Sequence, residues 1–280
     1  MAKLARVATY AVLGLWALVC VGPVFWLLVT SFKSGAAIDG GPFYLPFVDF
    51  RPSLESWSFV LLSRHESFLA SYGNSILVSL CAAVLTLVAA LLAVYALTRL
   101  WLGNGRWIYG AALATRILPP FVVALPLYMM AQHFAVLDSR LLLILVYAAS
   151  NLPIAMWLVL PLMGNTATPQ EEAARLEGAS TATIVFDIVV PMIARGLGAI
   201  ALIVFLQCFN EYVFAVTLTT NKAMTMPPFL MGQLSLKEAQ VGGDAEEWPQ
   251  FSAVFMLMLV PVLVSTAVVQ KYFGQLMARI

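Results

Sequence analysis

Residues 72–98 read YGNSILVSLCAAVLTLVAALLAVYALT and contain no Asp, Glu, Lys or Arg. About 20 predominantly apolar residues in a helix cross the hydrocarbon core of a bilayer, so this run is long enough to span. Outward from it lie five more runs of the same kind, at about 7–30, 107–133, 141–163, 196–219 and 251–270. None shows the strand-like alternation of a barrel, and helices are the other spanning structure that satisfies every backbone group. The expected fold class is all-α integral membrane, with six transmembrane helices in a single domain over residues 1–280.

Composition agrees. The chain is 62% hydrophobic and 10% charged, with a mean hydropathy of +0.92. A soluble domain carries roughly 25% charged residues and must keep its outside solvated. Lipid as the solvent removes the contradiction. A net charge of +1 offers no footprint for nucleic acid. Cys20, Cys81 and Cys208 all sit in apolar runs without metal-type spacing, and are expected to pack as small hydrophobes.

Lys3 and Arg6 precede the first run, as they would in a signal peptide. The run from Val7 to Thr30 exceeds the roughly 7–15 residues of a secretory core, so a retained first helix is expected. Pro119, Pro120, Pro126, Pro153, Pro161 and Pro261 fall inside the runs and predict kinks or bent helices that line a pore.

Charge orients the chain. With the N-terminus inside, the inner loops hold Lys3, Arg6, Arg99, Arg106, Arg175, Arg195, Lys271 and Arg279, which outnumber Glu171, Glu172, Glu177 and Asp187. In the outer loops 31–71 and 220–250 acidic residues outnumber basic ones. The positive-inside rule then places both termini in the cytoplasm. It also makes 164–195 the longest inner loop.

That loop reads TPQEEAARLEGASTATIVFDIVVP over residues 168–191. Thr168 is a good N-cap, Pro169 suits the first helical position, and Glu171 completes a capping box. Gly178 ends the helix and Ser180 caps a second one running towards Pro191. Ala173 and Ala174 leave a small, smooth face that a partner's backbone can approach. The residues alone allow two readings, a knob packed on its own bundle or a docking element for another subunit.

The segment resembles the EAA loop of binding-protein-dependent ABC importer permeases, whose pattern is E-A-A-x3-G-x9-I-x-L-P. Glu172, Ala173, Ala174, Gly178, Ile188 and Pro191 match it, and Val190 stands where leucine is usual. The resemblance extends over about residues 70–270. Asn74-Ser75, Arg116-x-x-Pro119-Pro120, Pro126-Leu127-Tyr128, Leu137-Asp138, Leu152-Pro153 with Trp157, Gly178-Ala179-Ser180 and Asn210-Glu211-Tyr212 are similar to the carbohydrate-uptake branch. Within that branch the chain looks like the maltose-type "G" subunit. The tail after Gln270-Lys271-Tyr272 departs from the Gly-rich end of that type.

The resemblance implies a type I ABC importer permease fold in a bacterial inner membrane. It implies four partners besides lipid: a longer "F"-like second permease, two ATPase subunits and an extracytoplasmic solute-binding protein. It further implies that Glu171, Glu172, Ala173, Ala174, Arg175, Gly178, Ala179 and Ser180 form the element coupling the pore to the ATPase. The chain itself is then no enzyme and holds no cofactor, ATP being bound by the partner. In keeping with that, the sequence contains no G-x-x-x-x-G-K-[ST] phosphate loop.

Charged groups inside spans are functional candidates by default. Arg116 and Glu211 qualify: either they neutralise each other across the bundle, or one faces a wet pathway, the plainer alternative being an interfacial Glu211 and a snorkelling Arg116. Gln207, four residues before Glu211, and Asn210 extend a polar stripe suited to a neutral sugar. A polyol or glycerol phosphate is the alternative solute, though a phosphate ester favours several basic groups and only Arg116 is present. A secondary transporter is the distant alternative, and it needs an ion relay within the spans. A membrane enzyme needs a clustered site such as H-E-x-x-H, which the sequence lacks.

Overall fold

The computed structural model of the chain describes residues 2–40, 45–63, 65–100, 105–164, 168–235 and 247–277. Among them there is no strand beyond an isolated bridge between Pro46 and Phe50. Thirteen helices follow in order: α1 (Ala2–Thr30), α2 (Gly35–Asp39), α3 (Glu55–Ser58), α4 (His65–Arg99), α5 (Gly105–Ala114), α6 (Pro120–His133), α7 (Arg140–Gly164), α8 (Thr168–Leu176), α9 (Thr181–Thr183), α10 (Val190–Phe209), α11 (Val213–Leu218), α12 (Met226–Ser235) and α13 (Glu247–Met277). A π-helical turn, Ile184–Val189, joins α9 to α10. Among the described residues five helices are long and apolar enough to cross a membrane, or six if the bent pair α5–α6 is one span.

Two expected spans are not straight. The 107–133 run breaks between Ile117 and Pro120, and its halves meet at 91°. Leu118 precedes a proline and takes an extended ψ of 127°, because the pyrrolidine ring disfavours helix there. Pro119 and Pro120 also lack the N–H groups that would carry the ladder across. The 196–219 run stops at Phe209 and restarts at Val213. There the Asn210 amide donates back to the Leu206 carbonyl (2.8 Å), and a Glu211 carboxylate oxygen accepts from Phe214 N–H (3.2 Å). Side chains that satisfy the backbone locally replace the continuous helix. Gln207 and Glu211 therefore do not share one helix face.

Contacts divide the chain into two compact units. One comprises Met1–Leu69 and Phe229–Pro261. In it Trp26 meets Trp248 edge-on at 6.4 Å, and Trp248, Phe251 and Phe255 continue an aromatic row. Most of α1 keeps its apolar side chains exposed, Trp16 at 69% for example, as a helix solvated by lipid would. Lys33, just past α1, is buried with its ammonium over the Phe50 ring. Burial pulls its pKa down, and Asp49 opposes that.

The second unit comprises Ala70–Pro228 and Val262–Ile280. Its core joins Val78, Ala82, Ala90 and Val94 of α4 to Leu143, Tyr147, Val159 and Met163 of α7 and to Ile193 and Val204 of α10. Small residues let helix backbones approach closely in lipid. At Gly196 a Cβ would stand 2.5 Å from Leu162 Cδ1, so α10 lies tight on α7. Cys208 is buried and accepts from the Asn151 amide at 3.4 Å. Cys20 and Cys81, expected to pack, instead lie exposed on the outer faces of α1 and α4, where lipid accepts an apolar thiol as readily as a core does.

Candidate functional site

The 164–195 connection folds as its residues dictate locally. α8 ends in a Schellman motif, with Ala179 N–H donating to Ala174 O (2.9 Å) and Gly178 N–H to Arg175 O (3.1 Å). Gly178 sits at φ +85°, the left-handed region that favours glycine. Ser180 then caps α9, its hydroxyl accepting from Thr183 N–H at 3.1 Å. The side chain of Thr168 lies outside the described residues, as do residues 165–167.

The face of α8 turned to its own unit is small. Ala174 and Ala179 pack on the core, and Glu171 is 2% exposed. Glu172, Ala173, Arg175, Glu177, Gly178 and Ser180 are exposed, and Leu176 is 91% exposed. The eight residues singled out from the sequence thus lie together, but Glu171 points inward. Both its carboxylate oxygens accept from Arg99 Nε, at 3.2 Å each. The same guanidinium donates from Nη2 to the Met163 carbonyl at 2.9 Å. Arg175 Nη2 donates to the Tyr95 hydroxyl at 3.2 Å. Sequence reasoning counted Arg99 only as a loop charge and passed over Tyr95; the signal was their spacing, one turn apart at the end of α4.

The polar group near the breaks is looser. Arg116, in the 3₁₀ turn Thr115–Ile117, donates to Gln207 Oε1 at 3.2 Å in an exposed setting. It reaches Gln207 rather than Glu211. Glu211 starts α11 through Phe214 N–H, and Asn210 closes α10 with its side chain exposed. Arg116 and Gln207 are brought together; Asn210 and Glu211 belong to the helix break.

A third cluster involves a residue noted only for its motif. Asp138, at φ 56° between α6 and α7, sends its N–H to Leu218 O (2.9 Å). Its carboxylate accepts four successive backbone N–H groups, from Thr220, Asn221, Lys222 and Ala223, and the Thr220 hydroxyl. Burial alone would raise its pKa, but the four N–H donors outweigh it and hold the group at about 2. The Asn74 amide donates to the carbonyls of Lys222 (3.1 Å) and Met224 (2.9 Å), and Ser75 Oγ accepts from Met226 N–H (2.7 Å). The chain after α11 is thereby fastened at both ends. Residues 236–246 of the predicted 220–250 loop lie outside the described residues.

Comparison with known proteins adds what geometry alone does not name. The diacetylchitobiose uptake system permease protein NgcG of Streptomyces coelicolor is 30% identical over 264 residues, covering 94% of this chain and 84% of the relative. The trehalose/maltose transport system permease protein MalG of Thermococcus litoralis is 27% identical, covering 92% and 90%. In fold, the chain matches a solved bacterial ABC transporter involved in alginate import, with a TM-score of 0.78 and 23% identity over 97% of each chain. Residues 104–279 match the family described as binding-protein-dependent transport system inner membrane component. The chain belongs to that family, as a multi-pass inner-membrane permease component of an ABC transporter and not an enzyme.

Proposed function

We propose that the chain forms half of the pore of a carbohydrate importer and takes its energy from separate ATPase subunits through α8. The observation that carries this is a short helix with a fixed stop at Gly178, presenting Glu172, Ala173 and Leu176 outward. Leu176, 91% exposed, offers an apolar contact there, and the flanking charges of Glu172 and Arg175 can fix the register of a docked partner. The 164–195 connection and both termini lie in the cytoplasm on this reading, as the charge distribution requires. An extracytoplasmic binding protein delivers the solute, and a second permease subunit completes the pore. No cofactor is held by this chain.

A carbohydrate solute is supported by the names of the relatives, a diacetylchitobiose and a trehalose/maltose permease. The Arg116–Gln207 pair supplies hydrogen-bonding groups suited to hydroxyls, with a single cation among them. The test is uptake of radiolabelled trehalose, maltose and diacetylchitobiose by the transporter reconstituted with its partners in liposomes. ATP-dependent uptake of one of them is expected. Glu172→Lys and Gly178→Asp should abolish it while the chain still inserts. Wild-type uptake in either variant would overturn the coupling role of α8, and failure of all three sugars would overturn the carbohydrate reading.

A further inference from the structure

Glu171 and Arg175 lie one turn apart on α8, and Tyr95 and Arg99 lie one turn apart at the end of α4. The pairs are crossed: Arg99 holds Glu171 and Tyr95 holds Arg175. Residue numbers rise along one helix as they fall along the other, so α8 runs antiparallel to the end of α4. One turn of helix is about 5.4 Å on both, and a slip of α8 by a turn would break both rungs at once.

Helices of fewer than about 12 residues are marginal without tertiary contacts, and α8 has nine. Its apolar contribution to the core is small, mainly Ala174. What sets its orientation is polar. Glu171 is almost wholly buried and its charge is met by Arg99; removal of either partner leaves a charge in a poorly solvated place. Arg99 also binds the Met163 carbonyl, one of the last four carbonyls of α7, which have no partner inside their own helix. One guanidinium therefore ties the end of α4, the end of α7 and the first turn of α8.

We infer that Arg99, with Tyr95 as the second rung, is a positioning residue that makes α8 move as one body with α4 and α7. Force applied to the outward face of α8 then reaches the spans through the Arg99–Glu171 pair. On this inference Glu171 faces the permease's own helices and does not touch the ATPase. The inference rests on the coupling role proposed for α8, and Arg99 itself touches neither solute nor nucleotide.

The test uses the whole transporter, reconstituted with partner permease, ATPase subunits and binding protein. ATP hydrolysis is measured with and without the binding protein, alongside co-purification of the ATPase. Arg99→Gln should retain the ATPase subunits but lose about fivefold or more of the stimulation by binding protein. The charge swap R99E/E171R should recover only part of it, since a carboxylate at position 99 cannot donate to the Met163 carbonyl. Tyr95→Phe, which keeps the ring, should give a smaller loss of the same kind. Wild-type stimulation in Arg99→Gln would overturn the inference, as would a swap no better than Arg99→Gln and Glu171→Arg, or loss of the ATPase from Arg99→Gln. Glu172→Lys, run in parallel, separates the two claims: if it retains both ATPase and stimulation, the coupling role of α8 itself fails.

Discussion

Asp138 accepts a hydrogen bond from the backbone N–H of Ala223, 85 residues further along the chain, at 2.9 Å. Three more N–H groups converge on the same carboxylate, so one side chain replaces a stretch of secondary structure for residues 220–223. Bonds to a charged acceptor are stronger than neutral ones. The site is partly exposed, and Asp138→Asn should cost about 1–2 kcal/mol after that discount. The pKa of Asp138 falls from 3.8 to about 2 on folding. A depressed carboxylate stabilises above its unfolded pKa and loses that contribution as pH falls through the folded value. The difference in melting temperature between wild type and Asp138→Asn should be full above about pH 4 and close towards pH 2. A pH-independent difference would show that the carboxylate's charge is irrelevant.

Asn74 holds the far side of the same segment. Its amide meets two carbonyls, of Lys222 and Met224, and the residue is 3% exposed. Asn74→Leu leaves both carbonyls without that donor, at a cost of about 1–3 kcal/mol. The loss is local, so its signature is access. Trypsin should cut after the exposed Lys222 faster in Asn74→Leu than in wild type, with Ser75→Ala adding to the effect.

How much of this was legible depends on the range of the interaction. The α8 knob was readable because a glycine stop and a serine cap act within a few residues, and both Gly178 and Ser180 behave as their chemistry requires. Pro119-Pro120 announced a break but not its size, a bend of 91°. The end of α10 was missed because the apolar run resumes at Val213, so that Asn210–Tyr212 read as polar residues within one span, whereas the two side chains turn onto the backbone and break it. Arg99 and Glu171 are 72 residues apart, and nothing local pairs them. Placing both among the charges of one membrane side was as near as composition could come.

Gly178 offers a test of the stop itself. At φ +85° a side chain meets the backbone penalty of the left-handed region, about 1–2 kcal/mol, although no atom within 4 Å obstructs a Cβ. Gly178→Ala should therefore loosen the last turn of α8 without a steric clash. Amide exchange in residues 173–179 should rise about fivefold or more, and Gly178→Asn should rise less, because asparagine tolerates this conformation. Equal exchange in all three proteins would mean that the Schellman turn does not limit the opening of α8.

Gly196 tests the fit of α10 on α7. A Cβ there would lie 2.5 Å and 2.8 Å from the two Leu162 methyl carbons, closer than packed atoms come. Those methyls are the ends of a flexible side chain, so Gly196→Ala can be absorbed by rotation of Leu162. Gly196→Val adds two further carbons at the same spot and must push the helices apart, at a cost of about 1–3 kcal/mol. Pairing it with Leu162→Ala removes the obstruction, and the two substitutions touch, so their effects should not add. The double variant should melt above the value expected from the sum of the singles. Strict additivity would mean that Leu162 is not what Gly196 makes room for.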